Sequence, residues 1–372
     1  MKSIPPIAFK GHEPAYRQIE QVLRTAITSG EWASGSRLPT VQAMASNYQT
    51  SVFTIQTALE TLEKDGLIER VRRRGTFVTG GRTKLRQVGI FYGTDFLRGR
   101  AMGFYQEINH CLAKALEARD VKYRLWIDGR SDEDHVQPLD DLVEAVNRRE
   151  IQGIIAPVVD FPESVWLQQL GLPLGLLSSA SVPYQVNFDY VKGMALAMEE
   201  FRRQGCQTVG AILPVSAATH SSYETETSQS NRQILDGFTG CLADAGLKTR
   251  NSWVRVPDRM LTALEHEEFG YRQFQEIWKQ AEKPDGLLVW PDTMVRGSIT
   301  GMLEAGVSVP RDLKLILHCN EGVPVLCPLP ASWLKVNLEQ IAAALIGQVE
   351  RQLVGDPVQP VLVVPTLETV PR

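Results

Sequence analysis

No stretch of the 372 residues approaches the ~20 consecutive apolar positions that a membrane helix needs, so neither a spanning helix nor a membrane partner is expected. The first residues, Met1-Lys2-Ser3-Ile4-Pro5-Pro6, lack the apolar centre of an export signal, and a cytoplasmic location is the expectation. Cysteine is scarce: Cys111, Cys206, Cys241, Cys319 and Cys327 are five in number, widely scattered and without a C-x-x-C pair, which argues against a disulfide framework or a zinc knuckle. Reduced, buried thiols are expected instead. The six histidines lie far apart, and no G-x-x-x-x-G-K-[ST] loop, H-E-x-x-H helix or G-x-S-x-G elbow is present. Catalysis, a bound metal and a cofactor are therefore not expected.

What is there is ordinary globular material, 43% hydrophobic and 22% charged, long enough for two domains with a substantial core. The net charge of −4 conceals an asymmetry: 13 Lys/Arg stand against 7 Asp/Glu through Arg86, and 26 against 36 beyond it. A basic head on an acidic body suits a head that touches a polyanion and a body that does not.

In the head, Pro14 opens a helical pattern with Ile19, Val22, Leu23, Ala26 and Ile27 on one stripe, and Gly30 ends it. Leu38-Pro39-Thr40 starts a second short helix, capped by Thr40, with Val41, Met44 and Ala45 on its inner side. A third begins at Thr50-Ser51 and carries Ile55, Ala58, Leu59 and Leu62 inward until Asp65-Gly66. Leu67-Ile68-Glu69-Arg70 and Thr76-Phe77-Val78 then read as two strands closed by Arg72-Arg73-Arg74-Gly75, a turn that the glycine permits. Three helices followed by a β wing describe a winged helix-turn-helix, a small α+β domain. An arginine run on a hairpin supplies charge for phosphates, and a Ser/Thr-rich helix start supplies short donors for base edges.

Across residues 13 to 80 the chain resembles the GntR family of transcription regulators. The matching words are Tyr16-x-Gln18-Ile19, Ile27-x-Ser29-Gly30, Gly35-Ser36-Arg37-Leu38-Pro39, Ala58-Leu59-x-x-Leu62, Gly66-Leu67-Ile68 and Gly75-Thr76-Phe77-Val78. Many members carry arginines where this chain has Gln42, Val52 and Gln56, so the family's usual operator sequence is not carried over. On this layout the DNA-facing residues are Arg37, Thr40, Gln42, Ser51, Phe53, Thr54, Gln56, the wing residues Arg72, Arg73 and Arg74, and Gly75 and Thr76. Gln56 in a major groove would favour adenine, since an amide bonds N6 and N7 together, and Thr54 could meet a thymine methyl or a phosphate. The competing reading for Gln42 and Gln56 is a solvated outer helix face, and for the arginines a solvated turn.

Residues 79 to 86 are small, polar and basic, which suits a linker between a DNA-binding domain over 1–78 and an effector domain over 87–372. From there short apolar runs alternate with helical patterns: Val88–Phe91, Tyr123–Ile127, Gly153–Ala156, Leu174–Leu177, Val209–Leu213, Ser252–Val256, Gly286–Trp290 and Leu313–Leu317. Such alternation implies α/β architecture with parallel sheets covered on both faces, and ligands outside the carboxyl ends of the strands. Ser216 to Ser230 shows no periodicity and reads as a loop at the lip of a cleft, or as disorder.

This second region resembles the effector domain of the LacI/GalR repressors, itself similar to two-lobed periplasmic sugar-binding proteins. The words that carry the likeness are Val186-Asn187-Phe188-Asp189-Tyr190-x-x-Gly193, Gly205-x-x-x-Val209-Gly210, Arg232-x-x-x-x-Gly237-Phe238, Ala243-x-Ala245-Gly246-Leu247, Pro284-Asp285-Gly286 and Gly306-Val307-x-Val309-Pro310-x-Asp312. His318-Cys319-Asn320-Glu321 departs from it, standing where a Gly-Phe-Asp-Asp type word is common. The resemblance implies that Arg232 and Asp292 hold polar ligand groups; Asp292 is alternatively a helix cap. Trp290 could stack on a sugar ring or fill the core, and Tyr92, Asp95 and Asn320 are further effector-binding candidates.

Taken together, these features predict a DNA-binding transcription regulator, in repressor form, that binds an inverted-repeat site in double-stranded DNA as a homodimer and responds to a small-molecule effector, a carbohydrate. Two rivals are a GntR-like head on a pyridoxal-phosphate aminotransferase-like body, for which no Schiff-base lysine can be placed, and a plain sugar-binding protein for transport.

Overall fold

The computed structural model describes residues 4–370 apart from 8, 10, 12, 73, 80–83, 94–101, 132–133, 159–160, 179–181, 215–223, 258–260 and 262, and within its helices and strands omits the side chains of 102, 158, 161–164, 224–233 and 263. The chain packs as two compact units, Met1–Arg86 with Glu350–Pro357, and Gln87–Val349 with Val358–Arg372.

The first unit holds α1 (Ala15–Thr28), α2 (Val41–Asn47), α3 (Val52–Lys64) and the antiparallel pair β1 (Ile68–Val71) and β2 (Gly75–Val78). The inner stripe of each helix is buried: Ile19, Leu23, Ala26 and Ile27 from α1 meet Met44 and Ala45 from α2 and Ile55, Ala58, Leu59 and Leu62 from α3. Trp32 and Tyr48, from the connections, complete this core. Arg24 of α1 pairs with Glu20 and with Asp65, the residue that ends α3. Gly75 opens β2 at φ +117°, a backbone region that a side chain would disfavour. The hairpin acquires a third member that local periodicity does not announce. Gly35 and Leu38 donate backbone N–H bonds to Val78 and Thr76 over 2.8 Å each, and Val78 donates to Ser36 over 2.9 Å.

The second unit has two lobes, each with a six-stranded sheet. Its first lobe contains β3 (Gln87–Tyr92), α4 (Met102–Glu117), β4 (Lys122–Ile127), α5 (Asp140–Asn147), β5 (Ile154–Val158), α6 (Phe161–Gln169), β6 (Leu174–Leu177) and β7 (Gln185–Phe188). Its second contains α7 (Tyr190–Arg203), β8 (Val209–Ile212), α8 (Glu224–Asp244), β9 (Val254–Arg255), α9 (Ala263–Trp278), β10 (Gly286–Val289), α10 (Asp292–Glu304), β11 (Lys314–Asn320) and β12 (Ser332–Val336). The chain then returns as α11 (Leu338–Leu353) and β13 (Val361–Val363) to the first lobe, and as β14 (Thr366–Glu368) to the second. The first sheet, in the order β13-β7-β6-β5-β3-β4, is parallel throughout. The second, β14-β12-β11-β10-β8-β9, is parallel except that β14 runs antiparallel to β12. The one antiparallel strand has a topological origin. Strands β7, β12 and β13 run towards the crossings between lobes, whereas β14 starts from one.

Three short crossings therefore join the lobes, at Asp189, at Asn337 and at residues 364–365. Asp189 donates its N–H to Val363 O over 2.9 Å, which couples two of them, and its carboxylate accepts the Lys192 N–H over 3.0 Å at the start of α7. At the third, Asn337 Oδ1 accepts Gln340 N–H over 2.8 Å and its Nδ2 donates to Glu321 Oε2 over 2.6 Å. An aminotransferase-like body is thereby replaced by a two-lobed binding-protein fold. The stretch read as an irregular loop is also corrected: Glu224–Ser230 are the first two turns of α8, and 215–223 lie outside the described residues. The residues of this stretch are mostly polar and supply no apolar stripe by which periodicity could reveal the helix.

Candidate nucleic-acid interface and ligand cleft

The outer face of the first unit is built on two capped helices. Thr40 Oγ1 accepts Ala43 N–H over 3.2 Å and Ser51 Oγ accepts Thr54 N–H over 3.0 Å, so each helix begins where its cap residue stands. Ser51 Oγ also lies 2.8 Å from Thr54 Oγ1. The two hydroxyls expected to face DNA are thus already engaged with each other. Gln42 and Gln56 are exposed, and so are Val52 and Phe53 at 42% and 76%.

On the wing, Arg72 and Arg74 are exposed, and Arg73 lies outside the described residues. Arg37 joins them in space: a Cβ at Gly75 would stand 2.7 Å from its Nε, so glycine lets that guanidinium lie against the hairpin. Thr76 and Gly75 are half-buried beneath it. Arg70 faces back into the domain, 3.2 Å from Glu63 and donating to Gln56 O over 3.3 Å, and is not part of the free charge.

In the second unit the expected residues gather at the carboxyl ends of β10 and β11. Trp290 follows β10 and is 1% exposed; its ring stacks on His318 with centroids 4.6 Å apart and planes at 14°, and lies 5.0 Å from Tyr190. One face of Trp290 is therefore covered by His318 in this structure. Asp292, 7% exposed, is the first residue of α10 rather than its cap, although its Oδ1 accepts Thr293 N–H over 3.0 Å. Burial pushes its carboxyl above the usual range, opposed by a hydrogen bond from Asn320.

His318 was not anticipated, because a lone histidine inside an apolar strand carries no local signal. Its Nδ1 accepts Asp292 N–H over 3.1 Å, and burial drives its pKa down to about 3, so the ring is neutral with the proton on Nε2. Among the described residues, that Nε2–H and the Oδ1 of Asn320 are buried without a hydrogen-bond partner. A buried polar group left unpaired costs roughly 1–3 kcal/mol, so the cluster is chemically incomplete by itself. A ligand hydroxyl, both donor and acceptor, would complete it.

On the first lobe, Tyr92 ends β3 fully buried, edge-on to Tyr105 at 6.1 Å, rather than lining an open wall. Burial raises its hydroxyl far above the ordinary range. Asp95 lies outside the described residues, and Arg232 lies in α8 with its side chain outside them. Asp128, at the end of β4, is held by Arg130 through contacts of 2.6 to 3.1 Å; burial raises its pKa, but these bonds outweigh it and leave the carboxyl lowered. It is consumed by that pair.

Comparison with known proteins agrees with this geometry. The family described as "Bacterial regulatory proteins, gntR family" matches residues 15–78. That stretch is a GntR-family helix-turn-helix domain. Residues 198–372 match the periplasmic binding protein-like domain family. The GntR domain's relatives include the uncharacterized HTH-type transcriptional regulator YdfD of Bacillus subtilis, 43% identical over 65 residues, 18% of this chain and 14% of that one. The mannosyl-D-glycerate transport/metabolism system repressor MngR of Escherichia coli is 37% identical over 86 residues, 23% of this chain and 35% of that one. The matched portion thus spans only 14% to 35% of these relatives' own length. Among solved structures, a LacI-family regulatory protein from Chloroflexus aggregans superposes with a TM-score of 0.60 at 16% identity, over 76% of this chain and 96% of that one. The transcriptional regulator CelR in complex with cellobiose does so at 0.58 and 15%, over 90% of this chain and 99% of that one. The body therefore has the LacI-type effector fold.

Proposed function

We propose that this chain is a cytoplasmic transcriptional repressor that binds operator DNA through its GntR domain and is controlled by a small polar effector of the sugar class held between the two lobes. One observation carries the reading: a single chain joins a capped reading helix and arginine wing to a two-lobed fold whose strand ends bear unpaired buried hydrogen-bonding atoms. The uncharged pair His318 Nε2–H and Asn320 Oδ1 suits hydroxyls better than a phosphate, which would require a cation. The naming of one relative for mannosyl-D-glycerate, and the cellobiose bound to one structural neighbour, point to the same ligand class.

Residues 1–78 serve DNA binding, 79–86 the connection and 87–372 effector binding and pairing of subunits. A homodimer on an inverted repeat doubles the few contacts that one such head makes. Binding between the lobes alters their closure, and the change reaches DNA as a difference in affinity between the two states.

The test is a thermal-shift screen of sugars and sugar phosphates on the full chain, followed by affinity for a selected duplex with and without each hit. A neutral sugar is expected to raise the melting temperature and change duplex affinity, and Asp292→Asn or Asn320→Ala to remove both effects while leaving duplex binding intact. Equal duplex affinity with and without every sugar that binds would overturn the coupling.

A further inference from the structure

The reading helix of this domain is short of charge and long on apolar surface. Neither α2 nor α3 contains an arginine, and their one lysine, Lys64, closes α3 at the far end from the cap. The guanidinium fork that reads guanine O6 and N7 is therefore missing from both helices. In its place the first turn of α3 exposes two apolar side chains side by side, Val52 at 42% and Phe53 at 76%. Among the described residues of the first unit, Phe53 belongs neither to the buried core nor to the side chains packed against it. A phenyl ring so exposed leaves apolar area in water at about 25 cal/mol per Å2, which a partner of matching chemistry would recover.

The partner's identity follows from the surroundings. Ser51 and Thr54 spend their hydroxyls on the cap and on each other, so hydrogen-bonding readout by this turn is reduced. The cations that would hold the phosphates, Arg37, Arg72 and Arg74, stand on the wing side. In a major groove entered by a helix start, the apolar feature of a base edge is the thymine C5-methyl group. We propose that Val52 and Phe53 read thymine methyl groups, so that the centre of each half-site is made of T·A pairs rather than the G·C pairs an arginine would select. This rests on the DNA-binding reading above and deepens it: charge fixes position from the wing, and apolar contact fixes sequence from α3.

The full chain is used to select duplexes from a randomised library, and its affinity is measured for a selected duplex and for the same duplex with each thymine in turn replaced by deoxyuridine. That change keeps base pairing and removes only the methyl. Selected half-sites are expected to carry invariant thymines, whose replacement weakens binding about fourfold per methyl, the equivalent of one buried methylene. Phe53→Ala is expected to lose this discrimination while keeping the salt dependence and the unfolding midpoint, since the side chain is exposed; Phe53→Leu should retain part of it. Selected sites centred on guanine, or equal affinity for thymine and uracil duplexes, would overturn the proposal while leaving DNA binding in place. Failure to enrich any duplex would instead remove the DNA-binding reading itself.

Discussion

The backbone N–H of Asp292 donates to Nδ1 of His318 over 3.1 Å, and this one bond fixes the tautomer of a fully buried ring at the strand ends of the second lobe. Protonating Nδ1 would break it and bury a charge beneath Trp290. The ring consequently resists protonation to about pH 3, while in the unfolded chain it titrates near 6.5. Stability linked to His318 is complete above the unfolded value and declines as pH falls towards the folded one, by about 1.4 kcal/mol per pH unit. His266, also lowered by burial, acts in the same direction. His318→Asn offers an acceptor that does not titrate, and urea midpoints between about pH 6 and 4.5 should fall less steeply in this variant than in the parent chain. Equal slopes would mean that the folded ring protonates freely.

Arg72 and Arg74 are exposed on the wing, so replacing both by alanine should leave thermal unfolding unchanged. For every phosphate that the wing no longer neutralises, the slope of log affinity against log salt is expected to flatten by about 0.9. Fluorescence anisotropy of a labelled duplex over a salt series measures this, and an unaltered slope would exclude the wing from the backbone contacts.

Ser51→Ala removes the side chain that accepts Thr54 N–H at the start of α3. The head should lose roughly 0.5–2 kcal/mol of stability, most of which Ser51→Gly restores, because glycine is itself an acceptable cap. Denaturant unfolding followed through Trp32, buried in the head core, reports it.

Helices α9 and α10 touch through backbone. A Cβ at Gly297 would overlap Glu267 O and lie 2.9 Å from Tyr271 N, neither of which can rotate aside. Gly297→Ala should destabilise the body at or beyond the upper end of the usual overpacking range of about 1–3 kcal/mol. Gly240→Ala, exposed on α8 with nothing within 4 Å of the new methyl, should instead stabilise by about 0.5–1 kcal/mol. Thermal melts of the two variants beside the parent chain separate these outcomes.

Much of the head was legible from its residues alone. The stripe of α1, the caps Thr40 and Ser51 and the glycine of the hairpin are local properties, written within a few residues of where they act. The pairing of residues 35–38 with β2 was not, since it joins segments far apart in the chain. In the body, apolar runs announced β3 to β6 and β8 to β11, but β13 and β14, three residues each, are too short for alternation to be read.

By itself the sequence determined what kinds of unit this protein has: a basic winged helix-turn-helix and an α/β body, because helix period, capping and turn chemistry depend on neighbours in the chain. Only the tertiary structure decided which polar groups share a site. It buried Tyr92 and Trp290, and it brought the unanticipated His318 and Asn320 together on Asp292. The reason is that burial and convergence are set by sheet order and by the way helices cover it, and those long-range relations leave no mark in the spacing of residues along one strand.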